Sequence, residues 1–405
     1  MSARPNSESV SRSPFLLTAD TLYDLLEVNP EQPLRHLVHV ARGVRGVFPP
    51  LVLSLAARDG ATLGTGARDE LRRMAERSTC YERLAQDLTS MDGVRVIKGP
   101  SLARHYPPEL IRPVGDLDVV APDEASLWRA AHRVLRKHPV TEVDLSVIRD
   151  GQRRHLLLSL WWPAADPLLD KGLRVEISTF AFAGEPGVVP LRSNLPDDQA
   201  VADLLALAEE RFQRPFTAKD LIDLTYALTA PTAPDPDALA LAADNYRLSP
   251  ELLELGEAVL VHPALAPAVP AALLDRLRSL TPAEVARRGD RRPLEQLAKA
   301  DQSVEERLAQ GLPAYGFSLS GAPRIRDQKA MTWHDVGGIV IARTPVADFL
   351  MVTGEVVDPD RHDIALHWLN NQAELTQPHR VRDHHDPTYR TPTYVQLVVD
   401  IGTRL

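Results

Sequence analysis

Asp116 and Asp118 lie two residues apart in Gly115-Asp-Leu-Asp-Val-Val120, with apolar residues between and after them. Side chains on a strand alternate faces, so the two carboxylates share one face while Leu117 and Val119 point into a core. Neighbouring carboxylates repel unless a cation neutralises them. Hard oxygen ligands suit Mg²⁺, which also takes substrate phosphates as ligands. Upstream, Lys98-Gly99-Pro100-Ser101 has the composition of a strand-to-helix turn, which can supply the donors that a phosphate-sized anion needs. The chemistry implied is metal-assisted phosphoryl or nucleotidyl transfer.

These residues also carry a likeness. Val94-Arg-Val-Ile-Lys98-Gly99-Pro100-Ser101-Leu-Ala-Arg-His-Tyr106-Pro107, followed by Arg112 and Gly115-Asp116-Leu-Asp118-Val-Val, resembles the poorly characterised nucleotidyltransferase family of the DNA polymerase beta superfamily. In that family a KG-x-x-L-x-x-x-Y-P run precedes R-x-x-x-D-[IL]-D-[LIV]-[LIV]. The resemblance spans roughly residues 40–230 and fades beyond them. The superfamily's usual Gly-Ser signature is replaced here by Lys-Gly-Pro-Ser. The resemblance implies two Mg²⁺ ions, with Mn²⁺ as the alternative, held by Asp116 and Asp118. It also implies a third carboxylate, from a neighbouring strand, that binds one metal and helps deprotonate an acceptor hydroxyl.

The best third carboxylate is Glu176. In Leu173-Arg-Val-Glu-Ile-Ser-Thr, Val175 and Ile177 face one side and Arg174, Glu176 and Ser178 the other, so Glu176 has the geometry required; Asp144 is its competitor. Two metals about 3.5–4 Å apart would clamp the attacking and leaving oxygens. The bland alternative is three acids on a solvated sheet face. Lys98 and Arg112 bracket the metal strand and could neutralise triphosphate charge, or they could pair with the aspartates. Gly99 and Ser101 belong to the same nucleotide-binding set, although Ser101 could equally cap the helix. Arg211-Phe-Gln-Arg214-Pro-Phe-Thr-Ala-Lys219-Asp220-Leu-Ile-Asp223 resembles the helix that follows the core in several nucleotidyltransferases. There a lysine reaches the phosphates, which offers Lys219 as a nucleotide contact; an i,i+4 pair with Asp223 is the rival.

The surrounding pattern gives the elements that must position these groups. Residues 15–92 read as helical, with Thr18 placed to cap the first helix and apolar residues at helical spacing from Arg68 to Ser90. Val94–Ile97 is a short strand and Ser101–Tyr106 a short helix. Asp123 opens a helix that runs to Lys137. Asp150-Gly151 is a hairpin turn between Thr141–Ile148 and Arg153–Trp161. Helices follow over 197–212 and 217–228. The expected class is α/β (α+β), a nucleotidyltransferase-like mixed sheet flanked by helices, followed by a helical region and a β-rich C-terminal unit. The expected boundaries are a tail over 1–13, a nucleotidyltransferase domain over 14–230, a helical region over 231–315, and a β-rich unit over 316–405 with strands near 337–343, 347–353 and 394–400.

With 405 residues the chain is long enough for two or three domains. A net charge of −9 argues against a nucleic-acid footprint, while leaving room for a local basic patch. A single cysteine, Cys80, permits no intrachain disulfide, and no long uncharged apolar run is present; both fit a cytoplasmic protein and no membrane partner. His379, His384 and His385 with Asp383 and Asp386 read as a charged loop rather than a metal site, because no helical His spacing or second cysteine supports them. The expected activity is transfer of NMP from an NTP, with ATP the expected donor, to a hydroxyl or phosphate acceptor that the sequence does not specify. A small molecule of specialised metabolism is one such acceptor. The alternative from another class is a catalytically silent binding or scaffold protein on the same fold.

Overall fold

The structure is a computed structural model that describes residues 15–44, 48–297, 302–319, 321–354 and 357–376. It is a mixed α/β chain. In order, its elements are helices α1 (Ala19–Leu25), α2 (Leu34–Val44), α3 (Pro49–Arg58) and α4 (Thr65–Thr89), strand β1 (Arg95–Ile97), helix α5 (Gly99–Ala103), strand β2 (Leu117–Val120) and helix α6 (Glu124–Lys137). Strands β3 (Glu142–Asp150), β4 (Arg153–Trp162) and β5 (Leu173–Ser178) precede helices α7 (Gln199–Glu209), α8 (Ala218–Thr229), α9 (Pro236–Asn245), α10 (Ser249–Leu260), α11 (Ala271–Arg288) and α12 (Val304–Ala309). Strands β6 (Ala314–Ser318), β7 (Thr332–Val336), β8 (Ile339–Arg343) and β9 (Asp348–Val352) and helix α13 (Pro359–Thr376) complete the described chain. β1 pairs with β2, and the other strands lie in the order β5-β4-β3-β6-β9-β8-β7.

Contacts divide the chain into two compact units, residues 1–122 with 180–292 and residues 123–179 with 293–405. The first unit is built around α7. Its residues Ala200 to Ala208 are all buried, as expected of a helix that is apolar on every side. Leu204 and Leu205 pack in one core with Leu22, Leu51, Leu102, Ile222 and Leu252 from the surrounding helices. Local signals fix the helix starts. Thr18 accepts from the Thr21 backbone N–H at 3.2 Å, Asp198 caps α7, and Thr217 with Asp220 forms a capping box on α8. The proline-containing stretch after α8 is a short connection between helices of this unit.

In the second unit the hairpin β3–β4 closes on a two-residue loop, with Asp150 paired to Arg153 and Gly151 at φ +57, a conformation that costs glycine nothing. Asp123 caps α6 by accepting from the Ser126 N–H at 2.7 Å. The C-terminal strands join this hairpin. β6 pairs antiparallel with β3, Val147 opposite Ala314, so these strands continue the hairpin's edge. Alternation identifies a strand but not the edge it will join. Of the helices over residues 231–315, α9, α10 and α11 fall in the first unit and α12 in the second. After β9 the chain forms α13, whose Ala365 packs with Ile341 and Leu350. The expected tail over 1–13, the strand near 394–400 and the cluster His379, Asp383, His384, His385 and Asp386 lie outside the described residues.

Candidate metal centre

β2 carries Asp118 as the alternation requires, and Asp116 stands one residue before the strand. Leu117 and Val119 are buried, while Asp118 is half-buried between them. The chain entering β2 is pinned by α4: Arg77 Nη2 donates to the Gly115 carbonyl at 2.6 Å and the Tyr81 hydroxyl to the same oxygen at 3.0 Å. One oxygen each from Asp116, Asp118 and Glu176 lies within 4.8 Å of the others, a group that could hold a metal ion. Three carboxylates make a hard, all-oxygen donor set, which suits Mg²⁺ or Mn²⁺ better than a thiophilic ion.

Glu176 is half-buried on β5, between buried Val175 and Ile177. Its Oε1 accepts from Ser159 Oγ at 3.3 Å and pairs with Arg174 Nη1 at 2.9 Å. Its competitor Asp144 lies on the same row of the sheet, since Glu176 is opposite Ser159 and Ser159 is opposite Asp144. Two strand spacings put it about 9–10 Å further along that row. Its carboxylate accepts from Trp161 Nε1 at 2.9 Å. The acid cluster includes Glu176 and not Asp144.

Lys98 comes to the same strand from the turn between β1 and α5. Its Nζ lies 3.2 Å from Asp118 and 2.6 Å from Glu210, and Glu210 in turn pairs with Arg214 at 3.1 Å. Burial pushes the Asp118 carboxyl above the usual carboxylate range, with the Lys98 cation opposing that shift and the Asp116 and Glu210 charges adding to it. Burial works against the Lys98 charge as well, but Asp118 and Glu210 outweigh it and hold the ammonium protonated well above its usual range. An added cation beside Asp118 would relieve the same repulsion.

The other candidates lie behind this turn. Gly99 has φ +33, and a Cβ there would stand 3.4 Å from the Asp116 carbonyl, so the turn packs closely on the start of β2. Ser101 Oγ donates to Asp203 at 2.5 Å. Arg112 is buried and holds Asp223 through both Nε and Nη2 at 2.7 Å, while its Nη1 donates to the Gly99 carbonyl at 2.9 Å. Lys219 pairs with Asp223 at 2.9 Å, the i,i+4 pairing. Burial alone would raise the Asp223 carboxyl, yet Arg112, Lys219 and the Tyr106 hydroxyl hold it well below the ordinary range. The guanidinium of Arg112 and the ammonium of Lys219 therefore meet a carboxylate inside the first unit.

Sequence reasoning missed Asp203 and Glu210. A signal for Asp203 was present: one acid inside Ala200-Val-Ala-Asp-Leu-Leu-Ala-Leu-Ala208 must be buried with its partners. Nothing in Glu209-Glu210-Arg211 distinguishes Glu210 from a solvated face.

No family model matches the chain, and no curated protein matches it. Among solved structures, the crystal structure of a "putative nucleotidyltransferase from H. pylori" matches 55% of this chain and 99% of its own at 17% identity, with a TM-score of 0.27. At that TM-score the two are not established as sharing a fold.

Proposed function

We propose that this protein is a Mg²⁺-dependent nucleotidyltransferase that moves NMP from an NTP, with ATP the expected donor, to a hydroxyl or phosphate acceptor. The observation that carries the reading is the convergence of Asp116, Asp118 and Glu176, with the Lys98 cation beside Asp118. The sequence motif in which Lys98-Gly99 and Asp116-Leu-Asp118 stand supports the same reading.

When bound, the metal would supply Lewis-acid charge to the phosphate oxygens. The chain's own groups do the rest. Asp116 and Asp118 hold the metal from one strand face. Glu176 completes the ligand set and takes the proton of an acceptor hydroxyl. The acceptor oxygen bonds to the α-phosphorus, the bond from that phosphorus to the bridging oxygen breaks, and pyrophosphate leaves with the electron pair. Lys98, whose ammonium is fully charged at neutral pH, is placed to share the triphosphate's charge as it approaches Asp118.

The test is a transfer screen. Incubation of the protein with α-³²P-labelled ATP, GTP, CTP or UTP, Mg²⁺ and a fractionated cell extract should label one acceptor fraction and release pyrophosphate, and EDTA should abolish both. A flat response to all four nucleotides, with no nucleotide-dependent thermal stabilisation, contradicts the reading and favours a silent binding protein on the same fold.

A further inference from the structure

We infer that Asp203 is a positioning residue: from the centre of α7 its carboxylate clamps the Lys98–Gly99 turn in a strained conformation and thereby sets the Lys98 ammonium against Asp118. This inference deepens the reading above and rests on it for the consequence at the nucleotide site.

Lys98 has φ +53 and ψ −136, a region that residues with a side chain rarely occupy, and Gly99 follows at φ +33. Such a backbone persists only where its surroundings over-determine it. Two buried groups do so here. Asp203 Oδ1 accepts from the Lys98 backbone N–H at 2.8 Å, and its Oδ2 accepts from Ser101 Oγ at 2.5 Å, so one carboxylate spans the turn and the first residues of α5. Arg112 Nη1 holds the Gly99 carbonyl at 2.9 Å. The N–H and the carbonyl that flank the strained bond are therefore each fixed by an ionic side chain.

Asp203 is fully buried, yet α7 is otherwise apolar from Ala200 to Ala208. A carboxylate at such a position is costly unless every lone pair has use. Gln199, one helical turn earlier, adds a donor to Oδ1 at 3.1 Å, and the Arg104 guanidinium lies 3.8 Å from Oδ2. Each donor comes from the turn, from α5 or its end, or from α7 itself. A helix that needed only packing would carry a leucine there.

The consequence is geometric. With the turn clamped, the Lys98 side chain leaves toward β2 and ends between Asp118 and Glu210. Released, Lys98 would relax to an ordinary backbone conformation, and its side chain would leave in another direction.

The chain has six lysines, so ¹⁵N-lysine labelling gives few amide signals, and Lys98→Arg assigns the one of interest by its disappearance. In the full-length wild type, the Lys98 amide should exchange slowly with solvent. Asp203→Ala should speed that exchange by tenfold or more, in line with the loss of a charged hydrogen bond, and weaken Mg-ATP binding measured by calorimetry by a similar factor. Asp203→Asn keeps an acceptor for the Lys98 N–H and should restore slow exchange and an affinity within about threefold of wild type. Should Asp203→Ala fail to fold, Asp203→Ser, too short to span the turn, replaces it. Unchanged Lys98 exchange in a folded Ala or Ser variant would overturn the clamp, and faster exchange with unaltered Mg-ATP affinity would overturn its positioning role. Accelerated exchange in a protein whose wild type binds no Mg-ATP at all would establish the clamp while contradicting the nucleotide reading.

Discussion

Glu176 is the residue whose role most separates a transferase from a merely metal-binding protein. It sits on a sheet row shared with Ser159 and Asp144, and both carboxylates were candidates on alternation alone. The acid group that could hold a metal takes in Glu176 and not Asp144, a distinction that no local pattern reports. If Glu176 accepts the acceptor's proton, Glu176→Gln should lower turnover by roughly 10²–10⁴-fold while changing nucleotide affinity far less, and Asp144→Asn should leave turnover within about threefold. Single-turnover kinetics on the labelled acceptor reads both, and the reverse ranking would transfer the role to Asp144. Asp116, Asp118 and Glu176 were legible because period-two alternation is local. Glu210 was not, and for Asp203 only the burial was readable, because their partners lie far away in sequence, Lys98 being 105 residues from Asp203.

At the scale of elements, α8 is anchored by a buried ionic group. Asp223 receives Arg112, Lys219 and the Tyr106 hydroxyl, and the residues 106–112 reach it across more than a hundred positions. The capping box that starts α8 was visible in Thr217-Ala-Lys-Asp220, but the anchor was not, since Arg112 and Lys219 could as well have met phosphate. Removing one partner of a buried pair leaves an uncompensated charge, so Asp223→Ala should destabilise the protein by about 3–5 kcal/mol in denaturant titrations. Adding Arg112→Met should return part of that loss. The pH dependence has a definite sign. A carboxyl held below its ordinary range contributes stability above the unfolded-state pKa of about 3.9 and loses it as pH falls through the lower folded value. The Asp223→Ala deficit should therefore be constant from about pH 8 to pH 5 and shrink only in stronger acid. A deficit that faded between those two values would mean that Asp223 titrates near the ordinary range.

For the molecule as a whole, the C-terminal strands are part of a fold unit rather than an appendage. β6 covers the edge of β3, and β9 lies against β6, with Phe349 and Leu350 buried. Hydropathy patterning located two of these strands, β8 and β9, within a few residues, yet could not report their partners because pairing over some 170 residues leaves no local trace; Leu145 opposite Gly316 is the example. A chain ending after Gln310 would expose the β3 edge and the apolar face of the hairpin. It should accumulate as aggregate, or melt well below the full chain, in a solubility and thermal-shift comparison. A soluble, monomeric truncation with the full chain's melting temperature would show that the distal strands are dispensable to the unit.

The central claim is that the carboxylates of β2 and β5 hold a divalent metal that brings in a nucleotide. Calorimetric titration of ATP into the wild type and into Asp116→Asn/Asp118→Asn, each with Mg²⁺ and with EDTA, tests it most directly. The account predicts binding to the wild type only with Mg²⁺, none to the double variant, and a melting temperature of the metal-free double variant no lower than wild type, because burial and the Asp116 and Glu210 charges already disfavour an ionised Asp118. ATP binding that survives both EDTA and the double substitution would contradict it.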